Sequence, residues 1–225
     1  METIGSVPVI PVPRGVRRED EARKARHRLY PSTILYSAYA VILLDIALRR
    51  GHILAALTYF FAGIVIWTLA EYLIHRYVLH GRFPDGPGFI QHFLHARFDH
   101  LHVEHHQRPW DGNHVNGTLK DTLPFSIVFI ILAAAAPLHT APVTVAGFLL
   151  AYVAEEWIHH SVHFCQFKNR YFQFIRRHHM YHHGPKGSEL GFGLSNGFWD
   201  VVLDTQVPEH VRRRPRSKQE RSTGH

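Results

Sequence analysis

The residues able to do chemistry here are histidines, and they fall into four clusters. His75 and His80 stand in EYLIHRYVLH. His102, His105 and His106 stand in HVEHH, His159 and His163 in EEWIHHSVH, and His179, His182 and His183 in HHMYHH. Histidine is the commonest metal ligand, and 21 histidines in 225 residues exceed any structural need. The spacings of His102, His105 and His106, repeated at His179, His182 and His183, are i, i+3, i+4, one face of one helix. His159 and His163 are i, i+4, again one face. His75 and His80 are i, i+5, off-face for a regular helix. Both reach one metal if the helix unwinds near His80, where Gly81 follows.

Ten imidazoles over two metals give five each, which leaves one octahedral position open on each ion. Structural zinc closes at four ligands. Open positions beside nitrogen ligands suit iron that binds dioxygen or an oxo group. Neutral imidazoles leave the metal charge uncancelled, whereas soluble di-iron bundles use carboxylates for that purpose. Glu71, Asp99, Glu104, Glu155 and Glu156 lie near the clusters in sequence. They are candidate acceptors for the outward N–H groups of the imidazoles, Glu71 and Glu156 foremost, or else solvated helix ends. His27, His52, His139, His210 and His225 read as surface or satisfied core residues. His92, His95, His100, His114, His160 and His178 stay open between the two roles. The one cysteine, Cys165, rules out an intrachain disulfide and thiolate zinc or iron–sulfur chemistry, and reads as an inert buried thiol.

The elements that must position these clusters are apolar. The sequence predicts an all-α integral membrane protein. Four transmembrane helices in two hairpins carry a helical cap with a histidine-rich dimetal site on the cytosolic side. The spans are residues 32–48, 52–74, 122–140 and 142–158, each near the ~17–25 residues a bilayer requires. Asp45 lies near the end of the first, within reach of the interface, and Arg49, Arg50 and Gly51 form a tight turn. Residues 81–88 and 108–116 are loops by their Gly and Pro content. Residues 89–107 are too polar to span and form a surface helix with a break near Asp99. Residues 169–183 form another, and the Gly-rich stretch 184–204 folds back over the metal site.

This organisation gives a flexible basic arm over 1–31 with a short helix over 19–28, a catalytic membrane unit over 32–205, and a disordered basic tail over 206–225. The net charge of +7 is concentrated in the two tails, from Arg14 to Arg28 and from Arg212 to Arg221. Basic tails beside apolar spans fit an anionic membrane face. Nucleic acid is not an expected partner, since neither aromatic–basic interleaving nor zinc-finger spacing accompanies the charge. The first fifteen residues show no leader pattern. Both termini and all four clusters are expected on the cytoplasmic side, although Arg49 and Arg50 opposite run against this.

HRYVLH, HVEHH, EWIHHSVH and HMYHH together resemble the histidine boxes of the fatty acid hydroxylase / sterol desaturase superfamily. ELGFGLSNGFWDVVLDT resembles the segment after the last box in fatty acid 2-hydroxylases. The likeness covers about residues 67–205. It implies a membrane-bound di-iron monooxygenase that inserts oxygen from O2 into a C–H bond of a lipid acyl chain, most closely a fatty acid or sphingolipid 2-hydroxylase. The ten histidines are then ligands of two iron ions, for which zinc can substitute in purified protein. No cytochrome b5 domain is recognisable, so the expected electron donor is separate: cytochrome b5, or ferredoxin with its reductase. An endoplasmic reticulum or a bacterial inner membrane fits equally. Phe89, Phe93, Phe98, Trp110, Phe192, Phe198 and Trp199 either line the lipid's route or anchor and pack the interface. The alternatives are a sterol desaturase or carotenoid hydroxylase of the same superfamily, and a non-redox zinc-binding membrane protein.

Overall fold

A computed structural model describes residues 7–95, 98 and 101–213, with only the backbone placed at Leu101. All regular elements among them are helical. Asp99, His100, His225 and the basic run from Arg214 onward lie outside the described residues.

Helix α1 covers Arg18–Arg49. The short basic helix and the first span expected from the sequence are thus one continuous helix that carries Pro31 in its interior. Helix α2, Ile53–Leu73, continues through a π-turn at Ile74–Leu79. Two short helices follow, α3 at Phe89–Leu94 and α4 at Leu101–Gln107. Helix α5 is Leu119–Ala133 and α6 is Ala141–Phe164. Helix α7 is Arg170–His182, α8 is Phe198–Val202 and α9 is Glu209–Arg212.

Three stretches, Arg18–Arg49, Ile53–Leu79 and Ala141–Phe164, are long and apolar enough to cross a membrane. Helix α5 is shorter than the predicted third span. It starts at Leu119, where the Thr118 N–H donates to Asp121 at 2.7 Å, and its 15 residues end before Pro137. At 1.5 Å per residue that is ~22 Å, against a hydrocarbon core of ~30 Å.

Helix α6 is the centre of the bundle. It packs on α2, α1 and α5, and its most apolar window is 50% buried, against 22% for the other two long helices. Small residues allow the close approach to α2. A Cβ on Gly63 would lie 2.0 Å from the Thr144 carbonyl oxygen, and one on Gly147 would lie 2.0 Å from that of Phe60. Ala40, Ala47, Ala56, Phe60, Val143 and Ala146 fill the layer around this contact. Tyr36, Trp67, Leu149, Tyr152 and Val153 fill the next. Polar ties fix the order of the helices. Trp157 Nε1 donates to Thr33 Oγ1 at 2.9 Å, and the Tyr36 hydroxyl lies 2.9 Å from those of Thr122 and Ser126. The outer faces stay apolar: Ile34, Leu54 and Ile131 are each more than half exposed.

At one end of the bundle the rings of His52 and His139 stack at 4.0 Å, which places the α1–α2 and α5–α6 turns at one level. At the other end Arg18 donates to the His163 carbonyl at 2.9 Å. There the Ile10 N–H donates to the Gln107 carbonyl and the Gly112 N–H to Glu21, which ties the N-terminal segment to α4 and the loop after it.

Candidate metal centre

All ten cluster histidines converge at the end marked by Arg18, in two groups. His75, His80, His102, His106 and His182 form the first; His105, His159, His163, His179 and His183 form the second. The ligand atoms of each group lie within 4.8 Å of one another. His163 is half-buried and the other nine are buried.

Local backbone geometry explains the division. At ~100° per residue, i+3 and i+4 fall on either side of a helix face, ~100° apart. On α4 the i, i+4 pair, His102 and His106, serves the first group and His105 the second. On α7, His179 and His183 serve the second group and His182 the first. In a regular helix His80 would point ~140° away from His75. The π-turn reduces that offset by closing an i, i+5 bond, His80 N–H to His75 carbonyl, at 3.1 Å. The helix therefore widens where the sequence suggested that it unwinds.

The Nε2 atoms face inward. In the first group His102 Nε2 is 3.0 Å from those of His75, His80 and His106, and His80 is 2.9 Å from His182. In the second, His179 is 3.1, 2.9 and 3.0 Å from His159, His163 and His183, and His159 is 3.1 Å from His105. Nitrogens bound at right angles to one ion with ~2.1 Å bonds stand ~3.0 Å apart; at the tetrahedral angle they stand ~3.4 Å apart. The observed spacing and the five donors per group fit ions of octahedral type and do not fit closed tetrahedral zinc. Either buried group could hold a metal ion.

The imidazoles are held ready for that role. Burial, reinforced by neighbouring rings, keeps His102, His105, His106, His179 and His183 well below the ordinary histidine pKa, and burial brings His182 down to about 4. These rings are neutral at pH 7, the form that ligates. Main-chain carbonyls orient rings of the first group: His75 Nδ1–H donates to the Phe192 carbonyl at 2.5 Å and His182 Nδ1–H to the Leu190 carbonyl at 2.8 Å. A carbonyl only accepts, so the proton sits on Nδ1 and the Nε2 lone pair faces the group.

The carboxylates act through the loops. The sequence named Glu71 and Glu156 as acceptors for imidazole N–H groups, and both accept from elsewhere. Glu71 Oε1 takes the backbone N–H groups of Leu194 and Ser195 at 2.6 and 2.7 Å, and Oε2 takes the Ser195 hydroxyl at 2.5 Å. Glu156 takes the Asn116 side-chain amide at 2.7 Å and the Gly117 N–H at 3.2 Å. Loop N–H groups enter these buried sites unpaired by secondary structure and must find acceptors, whereas the rings on α2 and α6 point toward the groups. Glu104 meets His114 and Arg108 at the rim. Glu155 is buried in α6, one turn before His159.

Asp200 was not singled out from the sequence. Its Oδ1 accepts from Phe192 N–H and the Thr205 hydroxyl, each at 2.8 Å; its Oδ2 accepts from Gly193 N–H at 2.9 Å and His178 Nε2 at 3.1 Å. Burial works to raise its pKa, and the His178 bond and charge, with the other donors, hold it below the usual carboxylate range. Asp200 and Glu71 together take four successive backbone N–H groups, 192 to 195, while the carbonyls of 190 and 192 face histidines. Gly191 makes the reversal at φ +72. The Gly-rich stretch thus does fold over the site. The signal available was the G-F-G…W-D spacing, which marks a turn followed by a buried carboxylate.

Of the remaining histidines, His178 pairs with Asp200, His92 with Asp85 and His95 with the Phe83 carbonyl. His160 is buried beside Trp157. Among the aromatics named from sequence, Phe192 reaches the first group, with its ring 5.3 to 5.8 Å from those of His75, His80 and His182. Phe89, Phe93 and Phe198 are exposed, and Trp110 and Trp199 donate to the Ile10 carbonyl and Thr68. Cys165 is exposed, contrary to the buried thiol expected, because it caps α6 where that helix leaves the bundle.

Residues 60–205, which hold both groups, Glu71, Glu156 and Asp200, match the family described as fatty acid hydroxylase. The chain belongs to the fatty acid hydroxylase family. Its relatives include fatty acid 2-hydroxylase of Rattus norvegicus, 34% identical over 68% of this chain and 40% of that protein. The ceramide very long chain fatty acid hydroxylase SCS7 of Saccharomyces cerevisiae is 32% identical over 73% of this chain and 42% of its own length. The chain thus spans about two fifths of the length of these fatty acid hydroxylases. The solved structure of full-length scs7p, in which only the hydroxylase domain is visible, is 27% identical with a TM-score of 0.65. It covers 84% of this chain and 69% of that one.

Proposed function

We propose that this fatty acid hydroxylase family member is a membrane-bound di-iron monooxygenase that hydroxylates carbon 2 of a lipid acyl chain, free or in a sphingolipid. The observation that carries the reading is the pair of five-imidazole groups with Nε2 spacings of 2.9 to 3.1 Å. The ten histidines hold two iron ions, with zinc able to occupy the same sites in purified protein.

When bound, the ions supply the redox chemistry that activates dioxygen for insertion into the C–H bond. The chain's own residues supply placement. The Phe192 and Leu190 carbonyls orient His75 and His182. Glu71 and Asp200 fix the loop that presents those carbonyls. Glu156 fixes the loop between α4 and α5. Attack at carbon 2 is supported by depth: His75, His159 and His163 sit where α2 and α6 reach the end of their apolar length, and carbon 2 of an acyl chain lies beside the head group. The names of the relatives favour this over sterol desaturation or carotenoid hydroxylation. Electrons come from a separate donor, cytochrome b5 or ferredoxin with its reductase.

Four crossings, with both termini and the histidine cap on the cytoplasmic side, complete the proposal. Support for α5 as a short crossing, third in chain order, comes from its two ends. Tyr36 ties its start to α1, and the stacked His52 and His139 bring the turn after it level with the α1–α2 turn.

The reading is tested by expressing the chain with a reductant system and analysing total lipids by mass spectrometry against His105→Ala. A 2-hydroxy acyl product that disappears in the variant supports it. A product lacking two hydrogens identifies a desaturase instead, and activity in a metal-free variant sinks the metal mechanism.

A further inference from the structure

The ring arrangement within each group is more specific than a count of five. In the first group, eight ring pairs have centroids 4.6 to 5.1 Å apart, while His102 and His182 stand 6.4 Å apart. His80 alone is a close neighbour of all four others: His75 at 5.1, His102 at 4.6, His106 at 4.9 and His182 at 4.7 Å. The second group repeats the pattern. His105 and His179 stand 6.1 Å apart, and His163 is a close neighbour of His105 and His179 at 4.9 Å and of His159 and His183 at 5.0 Å.

Five donors about an octahedral centre leave one vertex free. The donor opposite that vertex is adjacent to all four others, and each of those four faces another across the centre. We infer that the free position on each ion lies opposite His80 in the first group and opposite His163 in the second, so these two rings are the ones trans to any ligand the ions take.

Phe192 agrees with this placement. Its ring lies against His75, His80 and His182, one triangular face of the first octahedron. The free vertex belongs to the opposite face, with His102 and His106. Phe192 therefore backs the first group and does not lid its open side, which settles its role among the aromatics considered for the lipid route. Both trans rings also sit at the last turn of their elements, His80 closing the π-turn and His163 ending α6. The inference rests on the proposal that each group binds an octahedral-type ion.

Azide is a suitable probe, because it binds open positions on iron and its stretching frequency responds to the ligand opposite. The full-length protein is loaded with iron and azide, and its structure is determined by electron cryomicroscopy or crystallography. The expected result is azide across the ion from His80, from His163 or both, and never across from another ring. Infrared spectra of azide-bound His80→Gln and His163→Gln should show larger stretch shifts than His75→Gln, His102→Gln or His106→Gln. Azide opposite any ring of the two groups other than His80 and His163, or the largest shift from a variant of such a ring, overturns the inference while leaving the metal site intact. Where a variant fails to retain iron, the wild-type azide structure decides. A wild-type protein that takes up no ion at all overturns the proposed function, and the inference with it.

Discussion

The rings of His106 and His183 lie stacked with centroids 4.3 Å apart and planes 29° from parallel, although each belongs to a different five-ring group. Among the described residues they form the closest ring contact between the two groups, ahead of His102 and His105 at 5.4 Å. Each group keeps its own five rings, and none is shared.

This contact predicts that the groups fill interdependently. His183→Ala opens a void against His106 and should reduce the metal content of both groups. His163→Ala, whose ring among the described residues meets rings of its own group, Phe164 and the Pro109 main chain but no ring of the first group, should reduce the second group alone. Metal-to-protein ratios by elemental analysis distinguish these outcomes. Equal losses in the two variants would contradict the prediction.

Glu71→Gln should weaken the loop over the first group. The substitution keeps the shape but replaces a carboxylate that accepts three hydrogen bonds with an amide whose NH2 faces the Ser195 hydroxyl. A buried donor left without its partner costs about 1–3 kcal/mol, so a loss of about 2 kcal/mol in stability is expected. Thermal unfolding in detergent measures it. The same variant should lose metal from the first group before the second, because Phe192 and Leu190 orient rings of that group only.

Acid should destabilise the metal-free protein. The His182 pKa is lowered from 6.5 to about 4 by burial. An unfolded chain takes up this proton as the pH falls below 6.5, and the folded chain resists until about 4. Stability from this ring is therefore fully present above 6.5 and is lost as the pH falls toward 4, on the order of 3 kcal/mol per ring. The other buried imidazoles outside the spans shift in the same direction. Melting temperatures of the metal-free protein should fall steadily between neutral pH and pH about 5. A flat profile would mean that the rings are not held neutral by burial.

Gly147→Ala should be strongly destabilising for so small a change. Its Cβ would lie 2.0 Å from the Phe60 carbonyl oxygen, so α2 and α6 must separate. Overpacking of this kind costs about 1–3 kcal/mol. Since α2 carries His75 and α6 carries His159, the variant should also bind metal more weakly. A variant with normal melting and normal metal content would show that the helices do not touch there.

How much of this was legible in the sequence depends on the period of each signal. The i, i+3, i+4 spacing put His102, His105 and His106 on one face correctly. It did not show that the face divides between two groups, since that depends on what stands opposite. His80 was legible as a partner of His75 only through an unwound helix. A π-turn has no distinct apolar period to read, so its widening was not foreseen. The surface helix expected over 169–183 is α7, and the Asn169 side chain caps it by accepting from Tyr171 N–H at 2.8 Å. Glu71 and Glu156 were expected to accept from imidazole N–H groups; their donors instead come from loops more than thirty residues away in sequence, which no local pattern encodes. Asp200 was missed although its donors, Phe192, Gly193, Thr205 and His178, lie within 22 residues, because the G-F-G…W-D spacing was not read as a turn closed on a carboxylate. The first span was predicted to begin at Ser32 because the apolar run begins there; the polar first turns of α1 are tied to the histidine end of the bundle by Arg18 and Glu21.

The most direct test of the central claim is oxygen labelling. Iron-loaded protein in lipid, given a reductant system and isotopically heavy dioxygen, should yield 2-hydroxy acyl lipid carrying the heavy oxygen, and His105→Ala should yield none. Product oxygen drawn from water, or dioxygen consumed with no oxygen entering the acyl chain, would contradict the account of this chain as a lipid monooxygenase.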